Sequence, residues 1–151
     1  MGLIPPFFFD CVVAILGKDR EPVSSGFLYG DFTPREAETS AYGVYLVTNQ
    51  HVFEDLRKAW VRFNPQKIDE PARDYELRLL DKNNQPLWIA NQNREIDVAV
   101  IPILVSKLRE QSMKFAYFCS NLHVANTEKM RELGIMEGDF VYTLGFPMGL
   151  I

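Results

Sequence analysis

The chain has 151 residues, 47% hydrophobic and 24% charged, the make-up of one globular domain long enough to bury a core. Its formal net charge of −4, with no Lys/Arg run, speaks against nucleic acid or an anionic membrane as the main partner, since both reward a basic face. Two widely separated cysteines, Cys11 and Cys119, lack the C-x-x-C pairing of a metal site and are too few for a disulfide framework, which favours a reducing compartment.

The N-terminus, MGLIPPFFFDCVVAIL, has no basic start, is interrupted by Pro5 and Pro6, and carries Asp10. It therefore reads neither as a signal peptide nor as a membrane span, and proline at position 6 breaks the myristoylation pattern. A soluble, cytoplasmic protein is expected. The FFF at 7–9 reads as a packed lead-in strand or an interface. Short β-branched runs bounded by turn formers predict strands over Cys11–Leu16, Ser25–Tyr29, Val44–Thr48, Ala59–Phe63, Tyr75–Leu80, Val98–Ile103 and Asp139–Leu144. Turns are expected at GKDREP (17–22), DFTPRE (31–36) and DKNNQP (81–86), and a surface loop at PQKIDEPARD (65–74). Helical signals are few: His51–Lys58, residues 105–112, and residues 127–133, which begin at Thr127 and stop at Gly134. Trp60 and Trp88, in or beside strands, read as core or barrel-closing aromatics. So many short strands predict an all-β barrel or sandwich with one to three short helices.

YLVTNQHVFEDL, at 45–56, sets one of only two histidines at the end of a strand. A near-neutral side chain there suits general base work without requiring it. In EIDVAVIPI (95–103), Asp97 precedes a buried-looking strand, where a carboxylate that orients an imidazole would sit. A turn aspartate accepting backbone N–H groups is the plain alternative. His123, in SNLHVANTE, reads as a surface loop residue. His51, His123, Cys11 and Cys119 have no paired ligand spacing, and no phosphate-cradling glycine loop or suggestive carboxylate pair is present, so no metal and no cofactor are expected.

Four motifs, SSGFLYG (24–30), YLVTNQHV (45–52), EIDVAVIPI (95–103) and EGDFVYTLGFPMGL (137–150), occur in the order found in the trypsin-like serine proteases. The set resembles the bacterial Deg-type, or high-temperature-requirement, branch most closely. The resemblance implies His51 as general base, Asp97 as the residue that orients it, and a polypeptide substrate. It also implies a six-stranded antiparallel barrel over residues 1–138, with 104–137 as a possible helical insertion. Residues 139–151 would then be the first strand of a second barrel, cut short, with the 151 residues part of a longer protein. Gln50, where a small residue usually precedes the histidine, and Val52, in place of a cysteine, depart from parts of the family. No I-V-G-G-like start is present.

The family's nucleophile lies in a G-x-S-G-G-type loop, which is absent here. Ser24 and Ser25, in the only Ser-Gly context, read as structural because neither a base nor oxyanion donors accompany them. The expectation is a chain carrying base and orienter but inactive as it stands. A non-catalytic binding or regulatory module, and a relative with a cysteine nucleophile, remain open. Dimerisation through the exposed face of a half-domain is also expected.

Overall fold

The computed structural model describes residues 4–33 and 41–146. In chain order the elements are α1 (Pro6–Cys11), β1 (Val12–Leu16), a 3₁₀ turn at Lys18–Arg20, β2 (Pro22–Thr33), β3 (Ala41–Thr48), α2 (Gln50–Glu54), β4 (Lys58–Pro65), β5 (Arg73–Arg78), β6 (Ile89–Ala90), β7 (Ala99–Pro102), α3 (Val105–Glu110), β8 (Met113–Lys114), β9 (Phe118–Cys119) and α4 (Thr127–Glu132). Seven strands form a curled antiparallel half-barrel in the order β5-β4-β1-β2-β3-β7-β6, and the fold is all-β. The short β8 joins β4, and β9 lies parallel to β2.

Period-two patterning makes the curl. Val13 and Ile15, Val44 and Leu46, Ala59, Val61 and Phe63, Tyr75 and Leu77, and Ala99 and Ile101 all enter one buried cluster. Alternate residues of a strand share a face, so these five strands turn their apolar sides to the same concave interior. Phe53 of α2, Leu108 of α3 and Met113 of β8 fill it. Burying each such large side chain contributes about 1.5–3 kcal/mol. Outside, Asp74 accepts from Arg62 (2.8 and 3.1 Å) and Arg20 (2.6 Å), pinning the 3₁₀ turn to β4 and β5. These bonds, Arg62 first, hold the Asp74 carboxyl below its ordinary range.

The six strands expected between Cys11 and Ile103 are present, with shifted ends. Cys11 closes α1 rather than opening β1. The FFF triplet is helical because Pro6, at the first helical position, presets the backbone angle that a helix needs. With this helix the described residues hold four short α-helices where at most three helices were expected. The strand expected over Asp139–Leu144 is corrected: these residues pair with no strand among the described residues. A strand is held by its ladder, and no ladder forms here among the described residues. Trp60 is also corrected. Rather than entering the core it is half-buried under two cations, with Arg20 4.4 Å and Lys58 4.8 Å from the ring centre. Residues 104–137 are partly built into the barrel, since Leu108 and Met113 are core. Residues 34–36 of the expected turn and the end of the GFPMGL motif lie outside the described residues.

Candidate active site

The site begins where β3 ends. Thr48, buried at 7% exposure, donates its hydroxyl to the Ser25 carbonyl on β2 at 2.9 Å. Asn49 then turns the chain as the N-cap of α2, whose Val52 and Phe53 are buried. Phe53 packs against Trp88 with ring centres 5.9 Å apart, anchoring the helix from beneath. Burying that pair leaves His51 on the outer side, with its side chain 68% exposed.

β7 supplies the partner. Thr48 pairs with Ala99 in the antiparallel β3–β7 register, so the residues after Thr48 lie alongside those before Ala99. A sequence separation of 46 residues closes in this way. Asp97 Oδ2 lies 2.6 Å from His51 Nδ1, and Oδ1 accepts the His51 backbone N–H at 3.1 Å. Asn49 donates its side-chain amide to the Asp97 carbonyl at 3.0 Å. The Asp97 carboxyl is held below the usual carboxylate range, first by the His51 amide bond and then by the ring bond, against a smaller effect of burial.

The tautomer follows. An ionised carboxylate only accepts, so with the imidazole neutral Nδ1 carries the hydrogen and Nε2 presents a lone pair. The arrangement can therefore take up a proton at Nε2, with a negative charge behind the ring to stabilise the imidazolium. The plain alternative for Asp97 is present at the same residue, since the carboxylate also caps a backbone amide. It caps α2, a helix distant in sequence.

Gln50 donates to Glu54 at 2.7 Å, and its own amide oxygen is buried without a partner among the described residues. Ser25 is in structural use: its hydroxyl accepts the Phe146 N–H at 2.7 Å and its carbonyl receives Thr48. Among the described residues no serine hydroxyl is hydrogen-bonded to His51, and no group of three or more His, Cys, Asp or Glu side chains is placed to hold a metal. His123 sits in an exposed turn, where Nδ1 accepts the Cys119 N–H at 2.8 Å and the ring lies 5.1 Å from Phe7. Both cysteines are free, and burial, with lesser help from Asp10 and Cys119, pushes the Cys11 thiol up to about 12. No helix among the described residues is long and apolar enough to cross a membrane.

Sequence reasoning passed over Asn49, although an N-cap residue type two residues before the expected helix was the available clue. Comparison of the chain with protein-family models, with curated proteins and with solved structures finds no match in any of the three.

Proposed function

We propose that the chain is the base-bearing part of a trypsin-like serine endopeptidase, with His51 as general base and Asp97 as its orienting carboxylate. The observation that carries the reading is the 2.6 Å contact between His51 Nδ1 and an Asp97 oxygen, at a strand end where the ring stays open to solvent. The order of the four motifs supports it. In this reading Nε2 takes the proton of a nucleophile that attacks a peptide carbonyl, then returns it to the departing amine. The nucleophile and oxyanion donors come from sequence outside these residues.

The test is the product of the reading frame carried past Ile151, assayed on an unfolded protein substrate. Peptidase activity is expected, lost in His51→Ala and lowered about 10⁴-fold in Asp97→Asn. Near-normal turnover in either variant overturns the assignment. A second reading, a binding module that kept the dyad without the chemistry, is favoured by one feature. The Asp97–His51 amide bond gives the carboxylate a structural task independent of catalysis. A frame offering neither a G-x-S-G nor a G-x-C-G loop would establish that reading instead.

A further inference from the structure

We infer that Asn49 is a positioning residue for the His51–Asp97 pair; the inference rests on the dyad reading above. Asparagine is among the best helix N-caps, and its usual role is to accept an N–H from the first turn of its own helix. Asn49 stands at that position and its side chain makes no such bond. Asp97 performs the task instead, its Oδ1 accepting the N–H of His51, the second helical residue. Asn49 in return donates its freed amide to the Asp97 main-chain carbonyl. The two residues have exchanged roles across the gap between strand ends.

The exchange matters because of where the ladder stops. β7 begins at Ala99, and the Val98 N–H turns back to the Ile96 carbonyl at 2.9 Å. No sheet bond therefore holds Asp97 against β3. The Asn49 amide fixes the main chain of Asp97, the His51 amide fixes one carboxylate oxygen, and the second oxygen is left at Nδ1. Removing the first bond frees the backbone from which the other two are aimed. Water can replace it at this exposed carbonyl, so the effect falls on orientation more than on folding.

The test uses the 151-residue chain labelled with ¹⁵N, at a pH of about 8 where an ordinary imidazole is neutral. Ring nitrogen shifts report the ratio of the Nδ1–H to the Nε2–H tautomer of His51. Asp97 is the ionisable group bonded to that ring. Asn49→Ser keeps a capping residue and loses the reach to residue 97. It is expected to move the ratio toward Nε2–H about fivefold, the weight of one net hydrogen bond. The thermal midpoint should stay within about 2 °C of the parent. Asn49→Gln, which keeps the amide donor, should restore part of the ratio. An unchanged ratio in Asn49→Ser, beside a collapsed one in Asp97→Asn, overturns the role of Asn49 and leaves the dyad standing. An unchanged ratio in Asp97→Asn overturns the dyad itself, and the inference with it. A fall of several degrees with the ratio intact makes Asn49 merely structural.

Discussion

Asp97 places each carboxylate oxygen on a different part of His51, one on the backbone amide and one on the ring. Both bonds favour the ionised form, and the carboxyl is held below its usual range accordingly. A carboxyl depressed in the folded state contributes stability that is present above its unfolded value, about 3.9, and lost as pH falls through the folded value. The contact should therefore persist through the mildly acidic range and open only below about pH 3.9. Following the His51 amide resonance through an acid titration checks this. A midpoint at or above the ordinary carboxylate value counts against the contact, and Asp97→Asn should remove the transition.

At the scale of elements, β2 is the spine of the sheet, pairing first with β1 and then with β3. Gly26 lies where all three crowd together. A Cβ there would stand 2.8 Å from a Leu46 methyl, 3.0 Å from the Val47 carbonyl oxygen and 3.1 Å from Ile15. The carbonyl belongs to the ladder and cannot move aside, so Gly26→Ala should cost about 1–3 kcal/mol. Gly43, on β3, is exposed, and the nearest described atoms to a Cβ there belong to the Tyr45 side chain at 3.3 Å, which makes Gly43→Ala the control. Urea unfolding of both variants decides it, and equal midpoints would show that the strands separate easily at Gly26. At the other end of the chain, α4 carries its own signals: Asn126 accepts the Lys129 N–H at 2.8 Å, and Gly134, at φ 69°, lets Ile135 N–H reach the Met130 carbonyl at 3.0 Å.

Across the whole molecule, apolar burial is uneven. The half-barrel is packed, whereas Leu122, Leu133 and Met136 are exposed, and Phe140, Val141 and Tyr142 reach 98%, 85% and 68% exposure. Tyr142 and Leu144 also border an apolar cleft of about 690 Å³ walled by Phe8, Val12, Phe27 and Phe118. Exposed apolar side chains beside an apolar cleft favour association. The chain is predicted to self-associate in sedimentation velocity as concentration rises, with Phe140→Asp weakening it. A sedimentation coefficient independent of concentration would argue against an interface here.

Much of this architecture was legible in local pattern. Six strands and three of the helices follow from alternation, turn residues and caps, because such signals act over a few neighbouring residues. The candidate pair His51 and Asp97 was legible too, through residue type and motif order. The helix at FFF was missed although Pro6 beside it was a local signal, whereas two other errors fall where the outcome depends on a distant partner. VYTL has strand composition and no strand, since no edge lies beside it among the described residues. Trp60 looked like core and lies under Arg20, which a turn far along the chain delivers. The exchange between Asn49 and Asp97 was invisible for the same reason: it depends on the β3–β7 register, which brings together residues whose local sequences carry no mark of each other. The sequence by itself determined most of the segments that extend and which of their faces are apolar. Only the tertiary structure decided what stands beside them, because hydrogen-bond partners across a sheet are chosen by register and closure.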